Sequence, residues 1–151
     1  MSLEQWRRNT WLQEAEATLP EIQQLFQVVD REISDAGIHG LSAEGRFQHA
    51  YNAALQLCMI ALRASGYRVP KGEGHHKRAI ESLQLTLGGS WSHEAEHIER
   101  CSRLRGHAMY ERSGVVSRQD AEDLLETAKK LRGDVLQWLK ANHPELVPPG
   151  L

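Results

Sequence analysis

Apolar residues recur at intervals of three and four along most of the chain, the spacing of a helix with one buried face. Ile22, Leu25, Phe26, Val29 and Ile33 form one such stripe. The box Thr18-x-x-Glu21, with Pro20 in the first turn, marks its start, and "DAGIHG" breaks it. Upstream, the pattern from about Leu3 to Ala17 predicts a first helical element, giving an N-terminal helical segment over about 3–36. The stretch from about Ala43 to Ala64 is different. Phe47, Ala50, Tyr51, Ala54, Leu55, Cys58, Ala61 and Leu62 make its main stripe, and Ala53, Leu57 and Ile60 widen it around most of the circumference. A helix this apolar sits at the centre of a bundle or in an interface. One polar line remains on it, through His49, Asn52, Gln56 and Arg63.

The basic, glycine-rich "SGYRVPKGEGHHK" reads as a loop, followed by a short helix from about His76 to Leu87. After "GGSWS", Ser92 is expected to cap a helix from about His93 to Arg112. Ser117, with Asp120 three residues on, caps a last helix to about Ala141. His143-Pro144 stops that helix, and residues 142–151 form a tail. Strand-like alternation is weak throughout. The prediction is a single all-α domain over 1–151, an up-and-down helical bundle of four to five main helices.

Composition narrows the chemistry. The net charge of −2 supplies no bulk positive field, so any nucleic-acid contact must come from a local patch. Cys58 and Cys101 lie among apolar neighbours and read as buried free thiols, as expected in a reducing cytoplasm. "MSLEQWRRNTW" lacks the apolar stretch of a signal peptide, and no apolar run is long enough to span a bilayer. The expectation is a cytoplasmic protein away from membranes, with no cofactor. Phosphate loops, Cys-x-x-Cys pairs and serine elbows are missing, and the four tryptophans read as core or interface residues in helices.

The segment "RLRGHAMYER", Arg103 to Arg112, places cations on a core-forming helix. On a helical wheel Ile98, Cys101, Leu104, Ala108 and Met109 span an arc of roughly 140°, and Arg105 falls near its middle. A cation there packs its stem and extends its head to the surface, or it meets an anion in a cleft or dimer interface. Arg100, His107 and Glu111 run along one edge of the arc.

Together, "RFQHAYNAALQLCMIALRASGYR", "GEGHHKRAIESL" and "CSRLRGHAMYERSGVVSRQDAEDLLETAKKLRGDVLQWL" resemble the HEPN domains, the higher eukaryotes and prokaryotes nucleotide-binding family. The resemblance covers about 43–141. It implies a small helical bundle, often a homodimer, associated with nucleotidyltransferases or with toxin–antitoxin and defence systems. Many such domains are metal-independent RNases, and others bind nucleotides or protein partners. The family signature is an Arg, four to six residues, then a His. Arg100 and His107 satisfy that spacing. Aligning the family Arg with Arg105 instead puts the His position on Tyr110. With the first pairing, His107 would handle a ribose or leaving-group proton and Arg100 would steady the phosphate. With the second, a phenol replaces the imidazole, and an arginine-lined cleft for a nucleotide, RNA or partner protein remains. Arg103, Arg100, Arg105, His107, Tyr110 and Asn52 are its expected residues. The partners so implied are a second copy of the chain, a nucleotide or RNA, and a cognate antitoxin or nucleotidyltransferase.

Two further constellations compete. "HEAEH", His93 to His97, matches the H-E-x-x-H pattern of zinc hydrolases, with Glu94 as base and His75 or His76 as a possible third ligand. Its position after "GGSWS" fits a helix start instead, where acids suit the helix dipole. His75-His76, beside Lys71, Lys77 and Arg78, either hold a phosphate or simply start a helix and face water.

Overall fold

A computed structural model describes residues 1–72, 74–110 and 114–151, with the side chains of 107–110 outside the description. The chain is an all-α bundle. Its elements are α1 (Leu3–Arg8), β1 (Gln13–Glu14), α2 (Leu19–Ala36), α3 (Ala43–Ala64), β2 (Tyr67–Arg68), α4 (His75–Glu81), α5 (Leu83–Thr86), α6 (Ser92–Tyr110) and α7 (Arg118–Asn142). Short 3-10 turns at Gly89–Trp91 and Pro144–Leu146 precede α6 and follow α7.

The apolar α3 is the axis. Twelve of its residues are buried, Phe47, Tyr51, Leu57, Ile60 and Leu62 among them. It packs most extensively against α2 and α7, and also against α4, α5 and α6. Ile22, Phe26 and Val29 of α2 meet it from one side, and Leu124, Ala128, Leu131 and Val135 of α7 from another. The apolar circumference of α3 is therefore covered within the chain, and it gives no argument for a second copy. Among the described residues only Met1 and Ile38 are large exposed hydrophobics. No helix among them is long and apolar enough to cross a membrane.

The caps at Thr18, Ser42 and Ser117 explain where the long helices begin. Thr18 accepts from the Glu21 amide, and Ser117 and Asp120 form a reciprocal capping box. Other boundaries differ from the sequence expectation. The first helix ends at Arg8, not near Ala17. Thr10 follows with a φ of 63°, a left-handed turn that no helix continues through. The chain then pairs antiparallel with β2, Gln13 opposite Arg68 and Glu14 opposite Tyr67. Trp11 consequently lies in a turn and not in a helix. The helix expected over His76–Leu87 is two helices that meet at Ser82, whose buried hydroxyl donates to the Ala79 carbonyl at 2.6 Å. Ser92 does not cap α6. It is already helical, because the turn Gly89–Trp91 leads directly into α6.

Arg63 joins the N-terminal segment to this frame. Its Nε and Nη2 donate to Glu21 at 3.0 and 2.9 Å, and Nη1 donates to the carbonyls of Ala15 and Tyr67 at 2.7 and 3.1 Å. Arg78 of α4 lies over the edge-to-face pair of Trp11 and Trp6, 4.1 and 5.3 Å from their centroids.

Candidate functional site

The helical period of α3 places Gln48, Tyr51, Asn52 and Leu55 along one edge, where an apolar face meets a polar line. Opposite the polar line, α2 presents Glu32, which is only 6% exposed. A carboxylate so buried needs partners. His49 Nδ1 lies 2.6 Å from Glu32 Oε2, Asn52 donates to the same oxygen at 3.4 Å, and Arg31 donates to Oε1 at 3.1 Å. Burial pushes the Glu32 carboxyl up, but the bonds from His49, Arg31 and Asn52 together outweigh it and hold the group below the usual carboxylate range.

From Glu32 the polar chain continues along α3 to α6. Gln48 donates to the side-chain oxygen of Asn52 at 2.8 Å, and Gln48 accepts from Arg105 Nε at 2.9 Å. Arg105 is half-buried on α6, and its guanidinium lies 5.1 Å from the centroid of the Tyr51 ring. The arginine on the core face thus neither loses its stem in the core nor extends freely into water. An amide grips one edge of it, and an aromatic face supports it.

Tyr51 has no exposed surface. Its hydroxyl donates to Ser102 Oγ at 3.1 Å and lies 3.2 Å from His76 Nδ1. With the phenol proton on the Ser102 side, the Nδ1–H of His76 donates to the phenol oxygen. Nε2 is then the basic nitrogen. Burial raises the Tyr51 phenol, so it stays protonated at neutral pH. Burial, His75 and Arg105 all lower the pKa of His76, which is therefore neutral there. His75 stands edge-on to His76 with ring centroids 4.6 Å apart. The result is a cationic corner built by α3, α4 and α6 on a buried phenol. Arg105 is its permanent charge, and His76 is an imidazole whose protonation an anion would favour.

The structure brings Arg105, Asn52, His75 and His76 into this one region. Arg103 is exposed and pairs with Glu99 one turn earlier, at 3.0 Å. Arg100 is exposed on the flank that faces His97, whose pKa it lowers after burial has done most of the work. His107, Tyr110 and Arg112 lie outside the described side chains. His93 is exposed, and His97 Nδ1 is 3.2 Å from Thr127 Oγ1 of α7. Among the described residues no three of His, Cys, Asp and Glu stand close enough to share a metal ion, so H-E-x-x-H finds no third ligand there. Cys58 and Cys101 are buried thiols, both pushed up to about 12 by burial.

Glu32, Gln48, Tyr51 and Ser102 belong to the site but were not among the residues expected from sequence. Glu32 carried a usable signal: on the α2 wheel it falls within about 20° of Leu25 and about 40° of Ala36, on the edge of the core stripe. Comparison with protein-family models, curated proteins and solved structures gave no match.

Proposed function

We propose that this chain is a HEPN-like binding module that takes a phosphate group of a nucleotide or RNA at the Arg105–His76 corner. One observation carries the reading: Gln48 and the Tyr51 ring hold the guanidinium of Arg105 in place beside an imidazole that burial and neighbouring cations keep uncharged. A preset guanidinium binds phosphate oxygens with little further ordering cost. An arriving anion also lifts the pKa of His76 and gains a second charged contact. The all-α bundle and the short spacing from α3 through α4 to α6 are compatible with the resemblance over residues 43–141.

A second reading is the metal-independent endoribonuclease. The same neutral imidazole beside an arginine favours it, because 2′-OH transfer needs a base and a phosphate-steadying cation. In this reading His76 takes the 2′-OH proton and the 2′-oxygen attacks the adjacent phosphorus. The bond to the 5′-oxygen breaks, and that oxygen leaves protonated by His107 or by water. A terminal 2′,3′-cyclic phosphate and a 5′-hydroxyl result.

The test is fluorescence anisotropy of a labelled single-stranded RNA in excess EDTA, with AMP as competitor. Saturable binding is expected, and Arg105→Met should weaken it about tenfold to a hundredfold, the range for one charge-assisted contact. Absence of binding to both RNA and AMP overturns the proposal. Gel analysis of the same mixtures separates the readings. Cleavage that disappears in His76→Gln or His107→Ala makes the chain a nuclease, whereas intact RNA leaves a binding module.

A further inference from the structure

A concavity of about 570 Å³ opens between α2, α3, the segment around β2, and α4. It shares only His75 with the region around Arg105. Leu25, Met59, Leu62, Val69 and Ala79 furnish apolar lining, and Arg68, Lys71 and His75 stand among its polar groups. Arg63 and Glu21 also line it but neutralise each other at 2.9 Å. Arg68 Nε donates to the neutral amide of Gln13 at 3.1 Å, and among the described residues neither Arg68 nor Lys71 has a carboxylate within ion-pair distance, so the described groups leave a positive charge at this cavity.

Size, lining and charge together define a ligand class. The volume lies within the range of roughly 300–1,000 Å³ typical of small-molecule sites. The apolar lining is aliphatic apart from the adaptable thioether of Met59, so it suits a flexible hydrocarbon better than a flat ring. The cations call for an anionic head. We propose that this cavity binds a medium-chain aliphatic amphiphile with a single anionic head group, its tail against Leu25, Met59 and Leu62 and its head between Arg68 and Lys71. This site does not depend on the Arg105 reading, since neither Arg68 nor Lys71 belongs to that cluster.

Isothermal titration calorimetry tests it with decanoate, decyl phosphate, decanol and acetate, the amphiphiles kept below their micelle-forming concentrations. Saturable one-to-one binding of decanoate or decyl phosphate is expected, with decanol and acetate at least about tenfold weaker. Comparing the two anionic probes distinguishes a carboxylate from a phosphate head. The double variant Arg68→Gln/Lys71→Gln should weaken the preferred amphiphile about tenfold, and should weaken RNA binding less than Arg105→Met does. Leu25→Gln, at a partly buried position beside the core, should weaken the tail contact, with circular dichroism confirming that the helices persist. The proposal is overturned if no probe binds saturably. Decanol binding as tightly as decanoate overturns it as well, and so does acetate binding as tightly as decanoate.

Discussion

Glu32 is the residue on which the polar chain of the site converges. It accepts from His49, Asn52 and Arg31 in a place where water does not reach it freely. Glu32→Gln keeps the shape but removes the charge from three hydrogen bonds, and at pH 7 it should cost about 2 kcal/mol. The folded-state pKa lies below the unfolded one, so the ionised group adds stability above the ordinary carboxylate range. That contribution disappears as pH falls through the folded value. Urea unfolding should therefore show a clear gap between parent and variant at pH 7 that narrows below about pH 4. An unchanged gap at pH 3 would mean that the loss is one of packing. His76 behaves in the opposite way towards ligand. Its pKa is depressed when the site is empty, and a bound phosphodiester raises it, so binding takes up a proton. Affinity for RNA, whose diester charge is constant here, should rise as pH is lowered from 8 to 6. In His76→Gln that component of the slope should vanish. Thr10 offers a third residue-scale case. Its backbone is held at a φ of 63°, unfavourable for a β-branched residue, and among the described residues its hydroxyl donates only to the adjacent Asn9 carbonyl at an exposed turn. Thr10→Gly should raise stability by about 1 kcal/mol, visible as a higher melting temperature.

At the element scale, α3 carries the fold. Leu57 lies on it with no exposed surface, so Leu57→Ala should destabilise the chain by about 3 kcal/mol through lost transfer energy and a residual cavity. Ser117→Ala should cost only about 1 kcal/mol, because it removes one cap bond at the exposed start of α7. The same contrast explains what the sequence made legible. Both ends of α3, and the capped start of α7, follow from periodicity and local cap chemistry alone. The break at Ser82 was not legible, because it rests on a buried hydroxyl bonding to a backbone carbonyl. Nor was the early end of α1, because β1 is ordered by β2, more than fifty residues away in sequence. The site divides in the same way. Arg105 announced itself as a cation on an apolar arc. Gln48 and Tyr51 did not, since one looked like an ordinary polar edge residue and the other like core. Only the packing of α2 and α6 along the same polar edge of α3 turns Glu32, Asn52, Gln48 and Arg105 into one chain.

At the scale of the whole molecule, Arg63 decides whether the first seventeen residues belong to the bundle. They contribute little core of their own: Trp6 and Leu12 pack with Leu62 in a cluster separate from the main one. To that cluster and the Arg78 contact with Trp6 and Trp11 is added a set of polar ties. Arg63, with its side chain 12% exposed, ties Glu21 and the Ala15 carbonyl to the end of α3, and it meets the β2 strand at the Tyr67 carbonyl. Arg63→Met keeps the apolar stem and removes every one of these donors. Glu21 is partly exposed and can rehydrate, so the global fold should survive. The loss should instead be local, in the opening of the N-terminal segment. Hydrogen exchange should speed up at the amides of residues 11–16 and of β2 while the α3 amides stay protected. Arg63 and Gln13 also line the amphiphile cavity, so the same variant should lose affinity for decanoate while binding RNA as the parent does. If exchange rises equally in α3, the N-terminal segment is a cooperative part of the core and not an element docked on it by one arginine.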